Sequence, residues 1–122
     1  LDYDDSAWNR GRAGFGRKEG WENRIRTPWT GKDIWLRQKF EYDGSPFDTG
    51  ALVTHYDNAT EVYVNGEKIW SREGWNNNYE GFQVTEALHQ VLRQGTNVIA
   101  IHCHQDEGGQ YIDAALLIGE AK

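Results

Sequence analysis

The pair His102-x-His104 stands at strand spacing, which brings both imidazoles out on one face, a geometry compatible with one metal ion. His55, Asp57 or Asp113 would supply a third ligand if their strands lie alongside. The competing reading is a pair of polar residues tied by hydrogen bonds at a strand end, and no metal ligand is assigned. Cys103 lies between the two histidines but forms a dyad with neither, because successive side chains on a strand point to opposite faces. Its apolar neighbours mark a buried, inert thiol. Asp43, Asp48 and Asp57 lie in loops, where calcium takes oxygen ligands, yet no dense acidic loop signature accompanies them, so no cofactor is expected. Glycoside hydrolysis needs two carboxylates roughly 5–10 Å apart. Nineteen acidic residues guarantee such pairs by chance, and none is assigned a catalytic role.

Two groups suit recognition better than catalysis. Sugars are bound by a flat aromatic ring against the apolar face of a pyranose and by planar polar groups that meet hydroxyls in pairs. Trp75 with Asn76, Asn77 and Asn78 offers an indole flanked by side-chain amides in a polar loop. The alternative is that Trp75 and Tyr79 fold inward to cap the domain, and for Tyr79 the inward reading is preferred. His55, Asp57, His104, Gln105 and Gln110 form the second group, mostly at strand ends. They gather at one rim if their strands are neighbours, as a ligand site or as a structural network pinning the His55–Glu61 turn to the final hairpin.

The elements that position these residues are strands. Ala51–Tyr56 alternates and is rich in β-formers, Asp57-Asn58-Ala59 breaks it, and Glu61–Val64 alternates again with Val62 and Val64 toward a core. Asn65-Gly66 supplies the positive φ angles of a two-residue hairpin turn before a strand ending at Trp70. Asp33–Tyr42 is the clearest strand, with Ile34, Leu36, Phe40 and Tyr42 on one face and Arg37, Lys39 and Glu41 on the other. Ser71–Glu80 reads as a polar loop and Gly81–Val84 as a short strand. Thr85 has the residue type of a helix N-cap, Leu88, Val91 and Leu92 give about two turns of apolar face, and Gly95 is placed to end the helix. Asn97–His104 and Tyr111–Ile118 are the last strands. Leu1–Gly31 has little periodicity and reads as an irregular arm with an edge strand. Trp8, Trp29 and Trp35 are most simply core or arm-packing residues.

The 122 residues suffice for one sandwich core. Hydrophobic content of 38% with six Trp excludes disorder, and no apolar run approaches the roughly 18 residues of a membrane span. A net charge of −6 argues against nucleic acid, which needs a basic footprint; the arginine-rich run at 10–26 is interrupted by Glu19 and Glu22. One cysteine permits no internal disulfide and says nothing of redox compartment. A chain that begins at Leu1 and contains no Met reads as a piece of something longer, with any signal peptide lost. About eight short strands and one helical segment predict an all-β antiparallel sandwich over residues 1–122.

The ordered set Asn65-Gly66, Gly74, Tyr79, Phe82, Val84-Thr85, Leu88 and Gly95-x-Asn97-Val98, with Asp5-Ser6-x-Trp8 and Ile34-Trp35-Leu36-Arg37 upstream, carries a resemblance. It resembles the N-terminal sugar-binding jelly-roll domain of family 2 glycoside hydrolases, of the galactose-binding-like superfamily. Two segments depart from that pattern, His55–Tyr63 and His102–Gln105 with Gly108–Asp113, and these resemble ancillary jelly-roll domains of large secreted bacterial hydrolases. The resemblance implies a non-catalytic, carbohydrate-binding domain of a secreted enzyme, partnered by a neighbouring catalytic domain. A structural domain that packs on that neighbour and binds no glycan is the alternative. The ligand-binding residues expected are Trp75, Asn76, Asn78, His55, Asp57, His104, Gln105 and Gln110, with carbohydrate as partner and neither nucleic acid nor membrane.

Overall fold

The structure is a computed structural model and describes residues 15–16, 27–29, 31–76, 78–105 and 111–119. Its elements run β1 (Phe15–Gly16), β2 (Thr27–Pro28), β3 (Asp33–Tyr42), β4 (Thr49–Asp57), β5 (Thr60–Val64), β6 (Glu67–Arg72), β7 (Glu80–Gln83), α1 (Thr85–Val91), β8 (Gly95–His104) and β9 (Tyr111–Gly119). They form an all-β sandwich of two sheets. The larger has the order β2-β1-β9-β4-β7 and the smaller β3-β8-β5-β6. Pairing is antiparallel except between the two short N-terminal strands, which run parallel.

Alternation builds both layers. On β4, Leu52 and Tyr56 point into the core, and on β5, Val62 and Val64 do so, all at 6% exposure or less. Ile34, Leu36 and Phe40 of β3, Ile101 and Cys103 of β8 and Ile112 of β9 complete the interior with Trp29, Trp70 and Leu88. Removing this apolar area from water drives the layers together. Trp29 is buried, as expected of a packing residue, and its indole N–H donates to the Asp33 carbonyl at 3.2 Å. Trp8 lies outside the described residues.

The expected turn at Asn65-Gly66 has φ angles of 52° and 85°. Its Asn65 side chain reaches further than a turn requires, donating to Val91 O and Asn97 Oδ1 and accepting from Val98 N–H, each at 2.8–2.9 Å. By contrast, β4 and β5 do not pair with each other; the 57–60 turn carries the chain from the larger sheet to the smaller. Thr85 is the first residue of α1 rather than its cap, the N-cap position being Val84. The Thr85 hydroxyl is diverted to β4, where it accepts from Gly50 N–H at 3.0 Å. The helix docks there so closely that a Cβ on Gly50 would lie 2.7 Å from Leu88 Cδ1. Gly95 does take a positive φ of 101°, but it opens β8; the helix has already stopped where Leu92 turns extended. No helix among the described residues is long and apolar enough to cross a membrane.

Candidate functional site

The ends of β4, β8 and β6 and the starts of β3, β5 and β9 meet at the end of the sandwich opposite α1. The 57–60 turn crosses this end, with Asn58 N–H donating to His104 O at 3.2 Å and His104 N–H donating to Ala59 O at 2.8 Å. The described members of the sequence-predicted rim group, His55, Asp57, His104 and Gln105, therefore share one end of the molecule. They do not share one face.

His55 and Asp57 alternate with core-facing Thr54 and Tyr56, so they leave the larger sheet on its outer side. Both are nevertheless buried, at 0% and 4% exposure, because the 73–79 loop folds back over that side. The His55 ring packs on Tyr111 at 4.6 Å and edge-on to Tyr79 at 5.5 Å. Tyr79 OH donates to Asp113 Oδ2 at 2.7 Å and lies 2.8 Å from Tyr111 OH. Burial first, then these two hydrogen bonds, raises the Tyr79 phenol well above its usual range. Tyr79 thus covers the sheet with its ring although 41% of the residue remains exposed.

Trp75 and Asn76 are the hinge of the same loop. Asn76 is buried and bonds to β4 on both edges of its amide: Tyr56 N–H donates to its Oδ1 at 2.8 Å and its Nδ2 donates to Thr54 O at 3.1 Å. It also donates from Nδ2 to Glu80 Oε1 at 3.1 Å and from its backbone to Tyr56 O at 3.0 Å. The amide expected beside a sugar is therefore committed to holding the loop. What it holds out is Trp75, bridged to Asp57 through the backbone and 62% exposed. Exposed Asn78 accepts from Tyr79 N–H at 2.9 Å through its Oδ1. Asn77 and Gln110 lie outside the described residues.

His104 belongs to the smaller sheet and faces outward from it, beside His102, as strand spacing requires. His102 Nε2 meets Asp33 Oδ1 at 2.7 Å, His104 Nδ1 meets the same oxygen at 2.9 Å, and His102 Nδ1 meets Glu61 Oε1 at 3.2 Å. Glu61 continues the network through Oε2, which accepts from Lys68 Nζ at 3.0 Å and Tyr63 OH at 3.1 Å. The hydrogen bonds from His104 and His102 hold the Asp33 carboxyl below its usual range, and those from Lys68 and His102 do the same for Glu61. Gln105 follows at the edge, its backbone N–H donating to Lys32 O at 2.7 Å. His55, Asp57 and Asp113 are in the other sheet. Among the described residues no three His, Cys, Asp or Glu side chains converge as a metal ion would need. Cys103 is fully buried, accepts from Thr60 Oγ1 at 3.3 Å, and has its thiol pushed up to about 12 by burial.

Trp35 corrects the sequence reading. It is 55% exposed on the outer face of β3, stacked on His102 with ring centroids 4.0 Å apart and planes 12° from parallel. The signal was present in period-two alternation: Ile34 and Leu36 face the core, so Trp35 goes with Arg37 and Lys39. The pairing Trp35↔His102↔Glu61 across three strands then assembles an indole, an imidazole and a carboxylate in one row.

Chemically, this end of the molecule presents two indoles with polar neighbours and no activated nucleophile among the described residues. No protein-family model and no curated protein matches the chain. Solved structures that share its fold include two α-L-rhamnosidases. One is an α-L-rhamnosidase of Streptomyces avermitilis complexed with L-rhamnose, at 18% identity and a TM-score of 0.55 over 73% of this chain. The other is native α-L-rhamnosidase of Aspergillus terreus, at 19% identity and 0.56 over 76%. The likeness spans 9% and 13% of those enzymes' chains, so the sandwich corresponds in fold to a small section of two sugar hydrolases.

Proposed function

We propose that this chain is a non-catalytic, carbohydrate-binding domain of a larger secreted sugar hydrolase, of galactose-binding-like jelly-roll type, whose neighbour in the parent chain does the chemistry. The observation that carries the reading is the mounting of Trp75. Asn76 ties both of its amide edges to β4, and the indole beside it is held out to solvent without a ring or hydrogen-bond partner among the described residues. A pre-ordered exposed ring loses little entropy when a pyranose stacks on it, which is what a sugar-binding loop requires. Asn78, three residues along the same loop and exposed, accepts through its Oδ1 and keeps its side-chain N–H groups for hydroxyls. The correspondence to a small section of α-L-rhamnosidases supports the assignment to an ancillary domain, and the reading needs no cofactor. The test is affinity electrophoresis of the chain on a polysaccharide panel, with titration of L-rhamnose alongside. Retardation on at least one glycan, abolished by Trp75→Ala, is expected; no retardation and no response to L-rhamnose rejects the reading.

One observation favours a second reading, a structural domain packing on its neighbour. Ala51 opposite Leu117 and Val53 opposite Ala115 make an apolar strip on the outer face of the larger sheet, with Leu117 56% exposed. Leu117→Asp would then weaken assembly with the neighbouring domain, and the chain would show no glycan retardation with or without the substitution.

A further inference from the structure

The Trp35 row lies outside the loop to which sugar binding has just been assigned. Its arrangement is that of a built surface. One face of the indole is taken by His102, so the remaining exposure lies on the opposite face and the ring edge. His102 is itself held at both nitrogens by carboxylates on different strands, which prevents the stack from rotating. A neutral imidazole donates from one nitrogen only, so both contacts are hydrogen bonds when the ring is protonated. Both histidines use the same oxygen of Asp33. Its Oδ2 takes no hydrogen bond among the described residues, and the side chain is 47% exposed. The Trp35 indole N–H likewise has no partner among them, and Lys68, at 48% exposure, stands at the far end of the row.

A free aromatic face, a free carboxylate oxygen and free N–H donors are the complement of a neutral hexose: apolar C–H face, donating hydroxyls, accepting hydroxyls. Charge points the same way. On this outer face Asp33, Glu61 and Glu41 balance Lys68, Arg37 and Lys39, which leaves no strong net field to attract a phosphate or a polyanion. A purely structural role explains the row poorly, since exposed ion pairs stabilise a fold by about 1 kcal/mol or less and an exposed indole adds no core. We infer that the outer face of the smaller sheet is a second carbohydrate contact, with a neutral sugar ring stacked on Trp35 and a hydroxyl donating to Asp33. The inference rests on the carbohydrate-binding reading for its ligand class but on separate residues for its site. The 57–60 turn joins the two, bridging to Trp75 at Asp57 and bonding to the His104 backbone from Asn58 and Ala59.

Nuclear magnetic resonance of the indole N–H groups tests it, with L-rhamnose, cellohexaose, xylohexaose and laminarihexaose as probes and choline as the cationic control. The Trp35 signal, assigned by its loss in Trp35→Ala, should shift saturably with at least one sugar and persist in Trp75→Ala. Trp35→Ala should weaken that binding at least tenfold and Asp33→Asn at least threefold, each with a melting temperature close to that of the parent chain. A Trp75 signal that moves while Trp35 stays still overturns the second contact and leaves carbohydrate binding standing. If neither moves with any sugar, both readings fall. A Trp35 signal that answers choline but no sugar overturns the inference in favour of a cationic ligand. Should Trp35→Ala fail to fold, the Asp33→Asn affinity and the parent chain's own shifts decide the matter.

Discussion

The two outer faces of the sandwich carry the same kinds of side chain in opposite states. On the larger sheet, His55 sits among Tyr79, Tyr111 and Asp113, and the imidazole is fully buried. On the smaller sheet, His102 sits among Trp35, Asp33 and Glu61, and its neighbours remain a third to a half exposed. Coverage makes the difference, not residue type. The 73–79 loop, pinned by Asn76, closes over the first group and makes its hydrogen bonds a condition of folding, because a buried polar group without a partner is costly. Nothing among the described residues closes over the second, so its ion pairs add little to stability and its ring and carboxylate stay free to meet a ligand.

The contrast breaks most easily at the histidines. His55→Ala removes a wholly buried ring and should cost about 2–4 kcal/mol, lowering the melting temperature by roughly 10 °C or more. His102→Ala should cost under about 1 kcal/mol. Thermal unfolding followed by circular dichroism compares them directly, and equal losses would erase the distinction between the faces. Asn76→Ala sharpens the cause. It leaves Tyr56 N–H and Thr54 O without their partner and should cost about 2–3 kcal/mol. It should also accelerate hydrogen exchange at Tyr56; slow exchange there in the variant would mean that something other than the loop protects the face. A smaller pair is Tyr79→Phe against Tyr63→Phe. The first strips a hydroxyl from Asp113 and Tyr111 and should cost about 1–2 kcal/mol, whereas the second removes one peripheral bond to Glu61 and should stay within about 0.5 kcal/mol. Urea midpoints at matched slope give both values.

Much of this fold was legible because strands write their faces in alternation. Val62 and Val64 were expected inside and are, the Asn65-Gly66 turn has its positive φ angles, and His102 and His104 emerge together. What alternation cannot say is whether an outward face is covered. His55 and His102 are both outward residues near strand ends, and only the path of the 73–79 loop, a tertiary matter, buries one and spares the other. The same limit divided the expected rim group: register places His55 opposite Asp113 and His104 opposite Asp33, but which sheet each pair joins follows from the crossover at 57–60. Trp35 is a different case. Its neighbours Ile34 and Leu36 already assigned it to the outer face, and the pull of a large aromatic residue toward the core obscured a signal that was there. Asn76 looked like a ligand amide because side-chain amides suit sugars; that it suits a strand edge equally well depends on a contact twenty residues away.

The smallest expected effect is electrostatic and separates the faces by pH. The Asp33 carboxyl lies below its usual range, chiefly through hydrogen bonds from His104 and His102. A carboxylate whose folded pKa is lower than its unfolded one contributes stability above the unfolded value, near 3.9 in model peptides, and loses it as pH falls through the folded value. With the side chain 47% exposed, solvent screening holds this contribution well under about 1 kcal/mol. Asp33→Asn cannot ionise and should therefore lose less stability than the parent chain when urea unfolding is compared at pH 5 and pH 2.5. Glu61 shifts in the same direction in both proteins, so the difference between the two chains isolates Asp33. Identical acid limbs would mean that the histidine contacts of Asp33 do not persist in solution. The Trp35 stack would then lose one of the two carboxylates that keep His102 in place.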